Sequence, residues 1–208
     1  PQKVSASDIA HSQNGDYFEK ILSKPLFIAE QNSAPVARGT AHHKFLQYCN
    51  FEQARASLDT EIDRLLNDGK LTQEQVDMID RKTLNEFLST KLIDRIIASQ
   101  LVMREKRFTA RLKPSDVFDE YKGVKTDVTV IIQGAVDLAF VEDGKLVIVD
   151  YKTDRVKDIT KLAGLYKKQL YLYKSAMEQS EELTVKECIL CSIHLGAYIT
   201  AVSYTHLR

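Results

Sequence analysis

A continuous apolar run, Leu-Val-Ile-Val at residues 146–149, constrains the fold of this chain more than any other feature. The turn residues Asp143 and Gly144 precede it, and the triplet Asp-Tyr-Lys at residues 150–152 follows it. A strand that is apolar at every position is typical of a strand covered on both faces. The run therefore predicts a central β-sheet flanked by helices.

The hydrophobic periodicity changes near residue 100. Before it, apolar residues recur at helical spacing, and after it β-branched and aromatic residues dominate. The pattern predicts helices at residues 40–51, 52–69, 72–79, 83–99 and 159–179. It predicts strands at residues 102–112, 126–142, 145–152, 185–195 and 197–202. Thr72 and Gln75 have capping-box spacing, and Gly69 is expected to end the second helix.

The expected fold class is α/β or α+β, with a mixed sheet flanked by helices and preceded by a helical segment. Residues 38–202 are expected to form one domain, with a helical part at 38–100 and a sheet part at 101–202. Residues 1–37, with a short helix at 16–22, are expected to link this domain to a larger upstream region. The last residues, 203–208, resemble translated adapter sequence and are expected to be a non-native tail.

Composition excludes some functions and leaves others open. The net charge is zero, so any affinity for nucleic acid must come from local patches. No apolar run approaches membrane-spanning length, which favours a cytoplasmic protein without membrane contact. No GxxxxGK[ST] motif occurs, so ATP hydrolysis is not expected in this piece of chain.

Three cysteines do not predict a disulfide framework. Cys188 and Cys191 have the CxxC spacing of some metal sites. The residues between them, Ile189 and Leu190, are apolar and offer no turn for a ligand knuckle. Buried structural thiols are the favoured interpretation, and no iron–sulfur cluster is expected.

Two acids and a lysine are predicted to converge at one end of the sheet. Side chains alternate along a strand, so Asp150 and Lys152 share one face while Tyr151 points to the other. The hairpin partner brings Asp137 alongside. Two close carboxylates repel each other unless a cation neutralises them, and oxygen ligands suit Mg²⁺ or Mn²⁺. The alternative is a structural salt bridge between Lys152 and either acid.

The predicted helix after this strand carries an apolar stripe for packing on the sheet. The stripe comprises Leu162, Leu165, Tyr166, Gln169, Leu172, Tyr173 and Ala176. Gln169 is polar within it, and a core-facing amide needs hydrogen-bond partners. Gln169 and Tyr173 lie four residues apart and so share a helix face. Either they support the charged residues of the strand, or they are ordinary boundary residues.

Together these motifs resemble the PD-(D/E)XK nucleases of the RecB-like class. The pattern of that class is G-(V/I)-(V/I)-D, then (D/E)-X-K, then Q-(x)3-Y, and this chain has GAVD at 134–137, DYK at 150–152 and QLYLY at 169–173. The segment RGTAHHKFLQY resembles the GTxxH helix of the class, and REKRF resembles its E-x-x-F strand. Within the class, the chain is most similar to the C-terminal nuclease domain of AddA subunits of bacterial helicase–nucleases.

The resemblance implies a restriction-endonuclease-like core and a role for each matching residue. The implied metal ligands are His43, Asp137, Asp150 and the backbone carbonyl of Tyr151. The implied catalytic or supporting residues are Asp137, Asp150, Lys152, Gln169, Tyr173 and Glu105. The GTxxH spacing selects His43, and His42 is expected to face solvent. The implied cofactor is Mg²⁺ or Mn²⁺.

Substrate and partners also follow from the resemblance. It implies a metal-dependent DNA exonuclease that acts in double-strand break resection on single-stranded DNA and duplex ends, in the bacterial cytoplasm at the nucleoid. The implied protein partners are upstream helicase domains, which would use ATP, and a partner subunit of the AddB type. Basic clusters give four expected DNA contacts, Arg104, Arg107, Lys167 and Lys168. The alternatives are a phage or CRISPR-type nuclease of the same fold and a non-catalytic DNA-binding clamp.

Overall fold

The computed structural model describes residues 3–5, 34–118, 121–124 and 127–203. Its helices are α1 (Ala34–Tyr48), α2 (Phe51–Ala56), α3 (Leu58–Asn67), α4 (Gln73–Met78), α5 (Arg81–Leu88), α6 (Lys91–Ala98), α7 (Pro114–Val117) and α8 (Ile159–Glu181). Its strands are β1 (Lys3–Ser5), β2 (Val102–Leu112), β3 (Val130–Glu142), β4 (Lys145–Lys152), β5 (Val185–Ser192) and β6 (Ala197–Ser203). The predicted helix at 16–22 and residues 204–208 lie outside the described part of the chain.

The described strands form one mixed sheet in the order β1-β3-β4-β5-β6, and β2 also pairs with β3. The pairs β2–β3, β3–β4 and β5–β6 are antiparallel, whereas β1–β3 and β4–β5 are parallel. A parallel neighbour requires a crossover, and α8 supplies it between β4 and β5. The predicted mixed sheet flanked by helices is confirmed. Strand β1 is an addition within a region that the sequence predicts to be mostly irregular.

Strand β4 is covered on both faces, as its apolar run predicts. Leu146 and Ile148 belong to the core that contains α8. Val147 and Val149 belong to the core that contains the helices of the first half of the chain. All four side chains are fully buried. The sheet is therefore the middle layer of three, and the end of β4 is enclosed between helices on opposite sides.

Three predicted helices are wrong in their extent, and capping side chains account for two of the breaks. The carboxamide of Asn50 accepts the N–H of Gln53 at 3.1 Å and starts α2. The hydroxyl of Ser57 accepts the N–H of Thr60 at 3.4 Å and starts α3, so residues 52–69 form two helices. The segment 83–99 is likewise divided into α5 and α6.

Two local predictions in the helical half are confirmed. Thr72 and Gln75 form a complete capping box at the start of α4. Gly69 follows α3 with φ of 66°, a left-handed conformation that glycine adopts without a steric penalty. These features depend only on residues close in sequence, which is why the pattern predicts them.

His42 is buried, and the expectation that it faces solvent is wrong. Its side chain lies between two backbone groups, with Nδ1 at 2.8 Å from the carbonyl of Arg38 and Nε2 accepting the N–H of Asp80 at 3.0 Å. Burial lowers the pKa of His42, so the neutral ring with its proton on Nδ1 satisfies both contacts. His42 thereby ties α1 to the start of α5.

Leu165 corrects the predicted stripe of α8. It is 56% exposed, whereas Leu162, Tyr166, Gln169 and Tyr173 are buried. The buried positions follow a spacing of three to four residues, and Leu165 lies beside that line rather than on it.

Across the part of the chain that the structure describes, no helix combines the length and apolarity needed to cross a membrane.

The cysteines are buried free thiols, as the sequence predicts. Cys188 lies in the core on the α8 side of the sheet, and Cys191 lies in the core on the opposite side. Three residues along a strand place two side chains on opposite faces. The two sulfur atoms therefore cannot bind one metal ion.

A buried carboxylate stabilises the junction between α1, α2 and α3. Glu61 is 1% exposed. It accepts two hydrogen bonds from Arg64, at 2.6 and 2.8 Å, and one from the N–H of Asn50 at 2.6 Å. Burial alone would raise the pKa of Glu61, but the contacts with Arg64 outweigh it and lower the pKa. Arg64 is thus the main group that offsets the desolvation of this charge.

We expect Arg64→Ala to lower the free energy of unfolding by about 2–3 kcal/mol, because it leaves a buried carboxylate with one donor. Urea denaturation at pH 7 measures this change. Arg81→Ala is the matched control, since Arg81 pairs with Asp59 at an exposed site and should change stability by less than about 1 kcal/mol. Equal effects of the two substitutions would contradict the prediction.

Candidate active site

Strands β3 and β4 separate at the two acids that the sequence predicts to converge. Their ladder runs from the hairpin turn to the pair Leu138–Val149, and the next residues along the two strands are Asp137 and Asp150. Beyond this point β4 continues beside β5, while residues 131–133 of β3 pair with β1 on the same edge. We call the opening between β3 and β4 at these acids the fork.

On the α8 side of the fork, a short chain of polar contacts begins at Asp150, whose side chain is 2% exposed. Its Oδ2 lies 2.8 Å from Nζ of Lys152. The same ammonium donates to Oε1 of Gln169 at 3.0 Å. Gln169 in turn donates from Nε2 to the hydroxyl of Tyr173 at 2.8 Å. A salt bridge and an amide relay are thus both present, linked through the one lysine.

Asp137 connects the fork to the helical half of the protein. Its Oδ2 accepts the backbone N–H of Tyr151 at 2.7 Å, and its Oδ1 lies 3.5 Å from Nδ1 of His43 on α1. The ring of Tyr151 packs edge-on against His43 on the side opposite Lys152. Asp137 therefore bridges two strands and α1 with one carboxylate.

Glu105 reaches the same place from β2. The register of β2 with β3 puts Glu105 opposite Asp137, between the pairs Arg104–Leu138 and Lys106–Val136. Glu105 has φ of 48°, which is uncommon for a residue inside a strand and carries a cost in backbone strain. Ligand atoms of His43, Glu105 and Asp137 all lie within 4.8 Å of one another.

The charges at the fork alter each other's proton affinity. Burial works against the charged forms of both His43 and Asp137. The hydrogen bond and charge of the pair outweigh it, so the pKa of His43 is raised and that of Asp137 is lowered. Burial, and then the charge of Asp137, raise the pKa of Glu105. The contact with Asp137 therefore favours the protonated form of His43.

This donor set fits a small divalent cation. Carboxylate oxygens from β2 and β3 and an imidazole nitrogen from α1 meet at one point, and His43, Glu105 and Asp137 are each partly buried. Carboxylate oxygens suit Mg²⁺ and Mn²⁺, and imidazole is a common ligand of divalent transition metals. Asp150 lies next to this cluster but is turned toward Lys152, and the carbonyl of Tyr151 as a ligand remains a prediction.

We expect Asp150 to titrate near pH 6 in the metal-free protein. Burial raises its pKa to about 6, with Lys152 opposing the shift and Asp137 adding to it. Because the folded pKa is raised above 3.8, proton binding at Asp150 stabilises the fold fully below that pH. This contribution is lost as the pH rises through about 6. The carboxyl carbon resonance of Asp150, followed by NMR in the presence of EDTA, gives the midpoint.

The Lys152→Met variant tests the opposing effect of the lysine on the pKa of Asp150. Removal of the ammonium should move the Asp150 midpoint upward, since Lys152 favours the charged form. Both proteins are titrated under the same conditions, with EDTA present. An Asp150 midpoint that stays in place in the variant would contradict the prediction.

The four residues expected to contact DNA have different surroundings in the structure. Arg104 donates from Nη1 to the backbone carbonyls of Leu46, Gln47 and Cys49 at the end of α1, and its guanidinium lies over the ring of Phe51. These contacts tie Arg104 to the end of α1, and its contact with DNA stays a prediction. The side chains of Arg107 and Lys167 are exposed and that of Lys168 is partly buried. Their contact with DNA remains a prediction.

One close approach at the fork was not predicted. A Cβ atom on Gly39 would lie 2.8 Å from Oγ1 of Thr153, so this glycine lets α1 pack tightly against the segment that follows β4. A glycine inside a helix is unfavourable unless the backbone must come close to something. Gly39 is the glycine of the GTxxH pattern, but the sequence does not indicate that it approaches Thr153.

One family model and several known proteins match this chain over most of its length. The family model for the PD-(D/E)XK nuclease superfamily matches residues 17–202. An ATP-dependent helicase/nuclease subunit from Clostridium botulinum (strain 657 / Type Ba4) is 31% identical over 211 residues, which cover 96% of this chain and 16% of the relative. The protein of the same name from Clostridium acetobutylicum (strain ATCC 824) is 29% identical over 212 residues, with 94% and 17% covered. The chain thus spans about a sixth of the length of these curated relatives.

Proposed function

The chain belongs to the PD-(D/E)XK nuclease superfamily, and on that premise we propose that it is a metal-dependent deoxyribonuclease domain that digests DNA from an end. One observation carries the proposal. His43, Glu105 and Asp137 place three ligand atoms within 4.8 Å of one another, beside a lysine that a buried carboxylate and an amide hold in position. This combination suits phosphodiester hydrolysis better than it suits a purely structural salt bridge.

The proposed metal ligands are His43, Glu105 and Asp137, with Asp150 and the carbonyl of Tyr151 completing the set. Mg²⁺ or Mn²⁺ suits this donor set, and when bound it supplies the charge that polarises a phosphodiester and makes water nucleophilic at neutral pH. His43 must lose its proton to bind a cation, so cation affinity should rise with pH.

Lys152 is proposed to stabilise the negative charge that develops on the phosphate. Gln169 accepts one of its ammonium hydrogens and Asp150 pairs with its charge, so the side chain is oriented before the substrate arrives. A donor held in place beforehand stabilises a transition state more than one that must reorganise. Gln169 and Tyr173 support the lysine and do not need to contact DNA for this task.

Single-stranded DNA and duplex ends are the proposed substrates, with Arg107, Lys167 and Lys168 as candidate phosphate contacts. Phosphate contacts position DNA without reading its sequence, as digestion of any sequence requires. The names of the relatives support an ATP-dependent helicase in a longer chain and a partner subunit. We propose that the helicase lies upstream and that the partner is of the AddB type. Double-strand break resection in the bacterial cytoplasm, at the nucleoid, is the proposed setting.

The test of the proposal is cleavage of 5′-labelled and 3′-labelled single-stranded DNA by the 208-residue chain, with Mg²⁺, Mn²⁺ or EDTA. A covalently closed single-stranded circle of the same sequence is the matched substrate. We expect metal-dependent digestion of the linear DNA and little cutting of the circle. Equal cutting of the linear and circular DNA would indicate an endonuclease and contradict the proposed exonuclease activity. Binding of DNA without cutting in either metal would favour a clamp and overturn the proposal.

A further inference from the structure

The ammonium of Lys152 has a third neighbour that the sequence motifs do not assign. Besides Asp150 and Gln169, the aromatic ring of Tyr166 lies against it, with 4.1 Å between Nζ and the ring centroid. Tyr166 is one turn before Gln169 on α8, so both side chains lie on the helix face that covers the end of β4. A cation at this distance from a ring face is attracted to it, most strongly where water is excluded. Tyr166 is 6% exposed, which satisfies that condition.

A hydrogen bond to a neighbouring carboxylate fixes the position of the Tyr166 ring. Its hydroxyl donates to the carboxylate of Asp154, at 3.3 and 3.2 Å from the two oxygens. Asp154 lies in the segment between β4 and α8, only two residues after Lys152. Burial and the charge of Asp154 raise the pKa of Tyr166, so the phenol keeps its proton and remains a donor. The lysine and the group that anchors its aromatic neighbour therefore belong to one short stretch of chain.

The three neighbours of the Lys152 ammonium interact with it in different ways. Gln169 accepts one N–H of the ammonium, whereas Asp150 pairs with it by charge at 2.8 Å. A ring face attracts the positive charge as a whole and does not require a hydrogen of its own. A lysine held by one acceptor, an ion pair and a ring thus has an N–H left to direct toward a substrate phosphate.

We propose that Tyr166 is a positioning residue for cleavage, which holds the ammonium of Lys152 at the fork through its ring face and is itself fixed by Asp154. The inference rests on the proposed function, since it assigns Lys152 a task in phosphodiester hydrolysis. It goes beyond the Q-(x)3-Y pattern, which names Gln169 and Tyr173 only. It also differs from simple core packing, because it predicts an effect on the rate of cleavage at unchanged substrate affinity.

The variants Tyr166→Leu and Tyr166→Phe separate the ring from the hydroxyl. Leucine fills part of the space and removes the ring, and kcat is expected to fall about tenfold with KM for DNA unchanged. Phenylalanine keeps the ring and loses only the contact with exposed Asp154, so kcat should stay within about threefold of wild type. Tyr171→Leu is the matched control, since Tyr171 lies on the same helix and is 38% exposed. Thermal melting of each variant gives the folded fraction at the assay temperature.

A second measurement does not depend on activity. Protons over a ring face resonate upfield, so the ε-methylene signal of Lys152 in ¹³C-lysine-labelled protein should be displaced upfield in wild type. The displacement should persist in Tyr166→Phe and disappear in Tyr166→Leu, while Lys152→Met assigns the signal.

The outcomes distinguish this inference from the function on which it rests. Wild-type protein that cuts no DNA in Mg²⁺ or Mn²⁺ would overturn the proposed function and, with it, the role of Tyr166. Wild-type cutting with an unchanged kcat in Tyr166→Leu would overturn the inference alone. Rescue of both kcat and the lysine signal by phenylalanine would support it. A signal without upfield displacement in wild type would overturn the contact itself, whatever the activity.

Discussion

Asp137→Asn is expected to reduce the rate of DNA cleavage by at least about a thousandfold while the protein stays folded. Asparagine keeps the shape of aspartate, and its carbonyl oxygen can still accept the N–H of Tyr151. It lacks the negative charge that raises the pKa of His43 and that would bind the cation. Affinity for Mn²⁺ should therefore fall together with the rate.

Single-turnover cleavage of end-labelled DNA measures the rate, and calorimetric titration with Mn²⁺ measures the affinity. Asp63→Asn makes the same chemical change at an exposed position on α3 and should leave both unchanged. Far-ultraviolet circular dichroism and thermal melting check that the fold is kept. Cleavage by Asp137→Asn within about tenfold of wild type would refute the assignment of Asp137 as a metal ligand.

Lys152→Met is expected to reduce the rate by about a hundredfold to a thousandfold, and for a different reason. Methionine retains most of the aliphatic chain against Tyr166 and Gln169 but removes the ammonium. Because the proposed metal ligands are untouched, affinity for Mn²⁺ should be kept. Asp150, with a side chain 2% exposed, then has no cation beside it and should hold a proton to higher pH, unless a metal takes the place of the lysine.

The contrast between the two variants makes this prediction specific. Both should fail to cut DNA, but only Asp137→Asn should lose the cation. Lys157→Met, in the exposed segment after β4, is the control for loss of one positive charge near the fork. If Lys152→Met cuts at the wild-type rate, or if its defect is loss of Mn²⁺, the proposed role of the lysine is wrong.

The strands were largely predictable from the sequence, and the helices less so. The predicted bounds of β2 and β4 coincide with the observed ones, because an apolar run or an alternating pattern between turn residues defines a strand locally. Helical periodicity continued through Ser57 and through residues 89–90, where the structure breaks the helices. Hydrophobic periodicity shows which residues face the core. A chain can change direction between two helices and still keep its apolar residues toward the core, so the periodicity does not show the break.

Local rules predict the positions of Asp137, Asp150 and Lys152 in the candidate site. Asp143 and Gly144 have φ of 52° and 71°, the conformation of a tight hairpin turn that sets the register of β3 with β4. That register makes Asp137 and Asp150 the next residues after the last pair, Leu138 with Val149. Alternation then puts Lys152 on the face of Asp150. His43 and Glu105 entered through the resemblance to a family, since no local rule connects them with Asp137.

The sequence alone determined the hairpin, the order of charges at its open end and the face on which each lies, because these depend on short-range backbone geometry. The packing of the layers decided the rest. Elements distant in sequence decide where β3 and β4 separate, which way Glu105 turns, that Arg104 binds the end of α1, and which ring lies against Lys152. Their separation is set by the volume of the two cores between them, and no pattern along the chain encodes that distance.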